Sequence, residues 1–166
     1  SMIAAAVASV LSAGRGSIVC VPDQRDVRRL DAALTAALGP GHHAVLTADV
    51  GPASRYEQFL AVSRGVRKIV IGTRSAAFAP VHDLGLVVIW DDGDDLHAEP
   101  RAPYPHAREV LMLRADQEQT AALIGGFACT PEAHLLMRQQ WAHHLGADRT
   151  TVRQPVRIDI ASVEER

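Results

Sequence analysis

Four carboxylates fall within five positions at residues 91–95, Asp-Asp-Gly-Asp-Asp, directly after the apolar run LGLVVIW at 84–90. A buried strand that ends in acidic side chains commonly delivers them to a magnesium ion and its nucleotide. Asp91 and Asp92 stand first in line for that chemistry. Carboxylates this close repel one another unless a cation or an arginine sits among them, and Arg101 and Arg108 follow near enough to serve. A DDxDD string is equally a hydrated acidic loop after a buried strand, so both readings stand. A second constellation, Thr73-Arg74-Ser75, follows the apolar run KIVIG at 68–72. Backbone amides, hydroxyls and a guanidinium at a strand end suit a phosphate of single-stranded DNA. The competing reading is a capped turn in which Arg74 pairs with an acidic neighbour, while Phe78 just beyond reads as core. Tyr104 lies in LHAEPRAPYP (96–105), a loop stiffened by three prolines. It either stacks on one base, worth ~1–3 kcal/mol, or packs on its prolines.

The remaining reactive side chains add little. His42-His43 and His143-His144 are adjacent pairs, and neighbours in sequence do not share a helix face, so metal-ligand spacing is absent. His143 and His144 are expected at a helix end, and His106 at a helix start as a cap or packing residue. Cys20 lies inside an apolar run and reads as a small buried side chain. Cys129 is far away, with no CxxC or Cys/His spacing, so a reduced cytoplasmic protein is the default expectation.

The elements that position these groups follow from hydrophobic patterning. Five apolar runs read as strands: 17–21, 43–47, 68–72, 84–90 and 121–126. They are rich in Val and Ile and do not alternate with polar residues, which predicts a parallel sheet covered on both faces. VRIDI at 156–160 alternates and reads as an edge strand. Val27, Leu30, Leu34 and Leu38 recur at helical spacing until Gly39-Pro40. Tyr56, Phe59 and Leu60 mark a helix ending near Gly65, and Ala107, Val110, Leu111 and Arg114 another. A further helix is expected over TPEAHLLMRQQWAHHLG, with Thr130 as N-cap and Pro131 at its first position. The chain opens with a helix over about 2–13 that no strand precedes. It contains no GxxxxGK[ST], and SAGRGS at 12–17 leads into a strand rather than a helix, so it forms no anion nest.

Composition sets the outer bounds. The 166 residues suffice for one domain, and with 48% apolar but only 4% aromatic side chains the core must be Ala, Val and Leu. A net charge of -2 and a pI near 6.4 leave no global nucleic-acid footprint, so any DNA contact rests on local arginines. No apolar run approaches the ~20 residues of a membrane helix, and SMIAAAVASVL lacks the basic start of a signal peptide. Ser1-Met2 reads as a tag remnant ahead of the first helix.

In order, IVCVPDQRDVRRL, LTADVGPASRYEQFLAV, KIVIGTRSAAFAPVHDLGLVVIWDD, PHAREVLMLRA and ALIGGFACTPEAHLL resemble the first helicase lobe of the primosomal protein N′ (PriA) family of replication-restart helicases, over about residues 3–160. The most specific piece is IGTRSAAFAP followed by an apolar strand and acids. The resemblance implies an α/β, RecA-like (P-loop NTPase-type) lobe spanning 1–166, a mostly parallel sheet flanked by helices and lacking its phosphate-loop strand. It implies a piece of a longer protein whose DNA-binding region, zinc-binding segment and second lobe lie outside this chain. If the absent strand is central, the sheet is expected to be split, swapped or completed by another molecule.

The family motif Asp-Glu-Glu-His falls on Asp91, Asp92, Gly93 and Asp94. Asp91 keeps the magnesium position. Asp92 keeps the charge of the water-orienting residue but is one methylene short, and a misplacement near 1 Å can cost about 100-fold in rate. Gly93 and Asp94 depart altogether. Where the family carries Gly-Ser-Ala-Thr, this chain has Gly125, Gly126, Phe127 and Ala128, without hydroxyls, although Glu132 matches. Thr73, Arg74, Ser75, Tyr104 and Arg108 are the nucleic-acid-binding candidates. The resemblance implies ATP and magnesium, and the departures imply that this chain binds them weakly or not at all. The expected role is binding single-stranded or forked DNA and assembling other primosome proteins. The alternative is a working ATP-dependent 3'-5' helicase lobe whose phosphate loop lies upstream. A third reading, a magnesium-dependent phosphotransfer enzyme using the Asp cluster alone, lacks a facing nucleophile or lysine.

Overall fold

The structure, a computed structural model, describes residues 1–48, 51–101 and 103–146. Five strands alternate with helices: α1 (Met2–Ser12), β1 (Gly16–Cys20), α2 (Gln24–Leu38), β2 (His43–Leu46), α3 (Pro52–Ser63), β3 (Ile69–Gly72), β4 (Leu84–Trp90), α4 (Ala107–Gln117), β5 (Ala121–Gly125) and α5 (Pro131–Arg138). Short 3-10 turns cover Arg74–Phe78 and Asp95–His97. The strands form one continuous sheet in the order β2-β3-β1-β4-β5, all neighbours parallel. The expected parallel α/β sheet is therefore present and unsplit. VRIDI at 156–160 lies outside the described residues. By their internal contacts the residues divide into a unit from Ser1 to Thr130, which holds the sheet, and one from Pro131 to Arg166, in which α5 is described.

The continuous apolar runs follow from burial on both faces. On one face Ile3, Ala4 and Val7 of α1 and Val27, Leu30 and Leu34 of α2 pack on Val19, Ile69, Ile71, Leu86 and Val88. On the other, Val62 of α3, Ala76 and Ala77 of the 74–78 turn, and Ala107, Leu111 and Ala115 of α4 pack on Ile18, Cys20, Val70, Val87 and Ile89. Alternate residues of each central strand thus feed opposite cores, which an alternating polar strand could not do. The helix over 52–63 forms as expected, but Tyr56 and Phe59 of its apolar spacing are exposed and Val62 is its buried residue.

The crossovers share one hand. From β1 to β2 the chain moves one way across the sheet over the α1/α2 face. From β2 to β3, β3 to β4 and β4 to β5 it moves the other way over the opposite face. This is one screw sense, right-handed by the general rule for parallel connections. Because α1 lies on the α2 face and enters β1, a parallel strand feeding α1 in the same hand belongs on the β5 side. Among the described residues the open position on that side is the outer edge of β5, whose residues are exposed or half-buried while β1, β3 and most of β4 are buried.

Candidate functional site

Parallel strands place their following loops at one edge. Thr73 follows Gly72 at the end of β3, and Asp91 follows Trp90 at the end of β4, so both turns stand at the carboxyl edge where α/β sheets bind ligands. Gly72 fixes the closeness of the first turn. A Cβ there would collide with the carbonyl oxygen of Leu46 and come within 2.9 Å of the Ala76 Cβ.

The four carboxylates have four different environments. Asp91 adopts a left-handed backbone, φ 54°, and its N–H donates to the Gly125 carbonyl at 2.6 Å, tying the β4 and β5 ends together. It lines a cleft of about 470 Å³ with Ser1, Met2 and Ile3 of the α1 start, Val21, Asp26, Arg29, Leu30, Trp90 and Phe127. Asp92 turns inward and is only 3% exposed. Its Oδ2 lies 3.0 Å from Arg108 Nη1 and accepts the Thr130 hydroxyl at 2.7 Å. Arg108, itself buried at the first turn of α4, is also 3.2 Å from Glu109 Oε1. Asp94 caps the next turn, accepting from Leu96 N at 2.8 Å. Asp95 starts that 3-10 turn on the surface. Among the described residues no three His, Cys, Asp or Glu side chains gather as a metal-ligand set.

The arginine expected among the carboxylates is thus Arg108, whose Nη1 meets Asp92. Thr130 stands directly before α5, at the position expected for its cap, and its hydroxyl donates to Asp92. Sequence patterning missed His97, which is fully buried and shares a 2.9 Å hydrogen bond between Nε2 and the Trp90 carbonyl, plugging the end of β4. A histidine in a polar loop carries no periodic signal of burial. His106 is the expected cap of α4: its Nδ1 accepts from Arg108 N at 3.0 Å. Burial, with the nearby Arg108 charge second, pushes its pKa below the ordinary value.

At the other turn, Arg74 Nη2 lies 2.6 Å from Glu99 Oε2, and Nη1 donates to the Leu96 carbonyl at 3.4 Å. The paired-arginine alternative describes this resting state. The Thr73 side chain makes no capping bond, and Ser75 follows in the same turn. Arg114 of α4 braces that turn from behind, donating to the carbonyls of Ala77 and Ala79 at 3.0 and 2.8 Å. Phe78 was expected in the core and is instead 61% exposed, because Ala76 and Ala77 fill the buried side of the turn. Tyr104 is exposed, and its N–H donates to the Arg101 carbonyl. His143 and His144 were expected on a helix end; α5 stops at Arg138 and neither is helical.

The cleft beside Asp91 is a poor match to a magnesium-bound triphosphate. Its walls are mostly apolar, with Met2 68% and Phe127 88% exposed at its rim. Its single cationic lining side chain, Arg29, is 3.1 Å from Asp26. Phosphates need backbone N–H groups and a lysine or arginine aimed at them, and these linings offer two carboxylates, Asp91 and the Arg29-paired Asp26.

A parallel sheet with helices on both faces and paired turns at its carboxyl edge is the architecture of RecA-like helicase domains. Solved structures bear this out at the level of fold. Saccharomyces cerevisiae Dbp5 bound to RNA and ADP BeF3 matches with a TM-score of 0.52 at 16% identity, over 76% of this chain and 32% of that one. A Dbp5 C-terminal domain bound to Gle1 and IP6 matches at 0.51 and 18%, over 84% and 78%. No family model matches the chain. Relatives in sequence are closer: proteins described as "Probable replication restart protein PriA" from Mycobacterium leprae and Mycobacterium tuberculosis are 55% identical over 150 residues, 90% of this chain and 23% of theirs. Bacillus subtilis replication restart protein PriA is 24% identical over 96% of this chain and 20% of its own length. The chain belongs to the PriA family of replication restart proteins, and spans about a quarter of the mycobacterial relatives' length.

Proposed function

We propose that this chain is the first RecA-like lobe of a PriA-type protein, one that meets single-stranded or forked DNA and positions primosome partners in the cytoplasm while its ATP-handling machinery is eroded. The observation that carries this reading is the state of Asp92. A carboxylate that orients an attacking water must face the substrate, whereas this one is buried and bonded to Arg108 and Thr130. Turning it toward a substrate would give up both the 3.0 Å Arg108 contact and the Thr130 hydrogen bond. The apolar cleft beside Asp91 and the exposed Phe127, where the family carries hydroxyls, support the same reading.

On the DNA side, the turn after β3 presents Thr73, Arg74, Ser75 and the exposed ring of Phe78. A guanidinium for phosphate beside an aromatic face for a base is the pairing that sequence-tolerant single-strand binding uses. Phosphate release with magnesium, ATP and single-stranded DNA tests the first half. The expected result is no release above a no-enzyme control, for this chain and for Asp92→Glu alike; release by either overturns the reading. Fluorescence anisotropy of a labelled oligonucleotide tests the second. Weak binding is expected, reduced by Arg74→Ala with a shallower salt dependence.

One observation favours the alternative of a working ATP-dependent lobe. Asp91 shares its cleft with the first residues of α1, and the crossover hand reserves the β5 edge for a strand feeding that helix. A GxxxxGK[ST] loop placed between such a strand and α1 would reach this cleft.

A further inference from the structure

Arg74 is not presented bare at the carboxyl edge. Glu99 holds it from another loop, 25 residues along the chain, at 2.6 Å. A carboxylate on a guanidinium reproduces the contact a phosphate oxygen would make, charge-assisted and planar. The loop that delivers Glu99 is anchored at its root. Asp94 caps the 95–97 turn, and the buried His97 is bonded to the end of β4. Arg74 Nη1 also reaches the Leu96 carbonyl of that same turn. The two side chains are 40% and 24% exposed, so water and other anions can reach the pair.

Building on the reading that Arg74 meets DNA, we propose that Glu99 is an internal competitor for phosphate on Arg74, an autoinhibitory contact that single-stranded DNA must displace. A site competent in only a fraction of molecules binds with affinity reduced by that fraction. For a pair this accessible the reduction is about threefold to fivefold. The contact also leaves a mark in the salt dependence. A free Arg74 releases a counterion from the strand when it binds phosphate. An Arg74 already neutralised by Glu99 transfers its charge to the phosphate and leaves a carboxylate that gathers a cation instead. The wild-type slope of log K against log salt is therefore shallower than that of a Glu99 variant by about 0.7, the single-strand value for one phosphate contact.

Anisotropy titrations of labelled oligothymidylate at several salt concentrations test this with the whole chain. Glu99→Gln is expected to bind threefold to fivefold more tightly with a slope steeper by about 0.7. Asp95→Asn, with the same change in net charge in the same loop, is expected to gain less than twofold. Arg74→Ala/Glu99→Gln is expected to lose the gain. Equal affinity and slope for wild type and Glu99→Gln would overturn the competitor while leaving DNA binding in place. A gain that survives Arg74→Ala, or is matched by Asp95→Asn, would overturn it as a general charge effect. No binding by any variant at low salt would overturn both this contact and the DNA reading beneath it.

Discussion

Replacing Arg108 by Ala strips the buried Asp92 carboxylate of its guanidinium partner. Both side chains are less than a tenth exposed, and their 3.0 Å contact links the end of β4 to the first turn of α4. Removing one partner of such a pair leaves an uncompensated buried charge, at a cost of about 3–5 kcal/mol. That is a large part of the roughly 5–15 kcal/mol of a typical domain, and corresponds to a fall in Tm of roughly 6–20 °C. Asp92→Asn is expected to cost less, about 1–3 kcal/mol, because its amide oxygen can still accept from Arg108 and Thr130. The double variant Asp92→Leu/Arg108→Met removes both charges and restores apolar volume, and is expected to be more stable than Arg108→Ala alone. Urea unfolding with linear extrapolation provides the measurement, at an unchanged m value. If Arg108→Ala lies within about 0.5 kcal/mol of the parent and the substitutions are additive, Asp92 is not held by this pair. The argument that its carboxylate is unavailable to a water would then fail.

Three further outcomes follow from the same geometry. His106 caps α4 as a neutral acceptor and its folded pKa is depressed, so its contribution is present above the unfolded value and lost as pH falls through the folded one. Thermal melts from pH 7 to 5 should show an acid destabilisation that His106→Asn diminishes; an identical pH dependence in the variant counts against the cap. The Cys20 thiol is fully buried and pushed up to about 12 by desolvation, whereas Cys129 is exposed, so iodoacetamide should label Cys129 alone in the native chain, as read by peptide mass spectrometry. A strand joined ahead of α1 by a short loop should pair with β5, and hydrogen exchange should then slow about tenfold or more at Ala121–Gly125 and not at His43–Leu46. Protection at β2 instead would contradict the crossover hand.

All five strands were legible because they are apolar runs without polar alternation, interrupted in the described strands by the buried Ser17 and His43, a pattern that a sheet covered on both faces explains. The Gly39-Pro40 stop and the His106 start likewise reflect local backbone chemistry, and α2 ends and α4 begins where those signals place them. The placement of Thr73 and Asp91 at one edge was also determined by sequence, since parallel strands put their following loops at the same end. Partnership was not. Nothing in Asp-Asp-Gly-Asp-Asp distinguishes the residue that faces the cleft from the one that is buried. That depends on the left-handed turn at Asp91 and on Arg108 arriving from α4, 16 residues later. Arg74 could not be assigned to Glu99 from spacing, and Phe78 appeared apolar enough for a core already filled by Ala76 and Ala77. Periodicity is a property of one element and so can be read along the chain. Which charge neutralises which is settled only when separate elements meet at the end of a sheet.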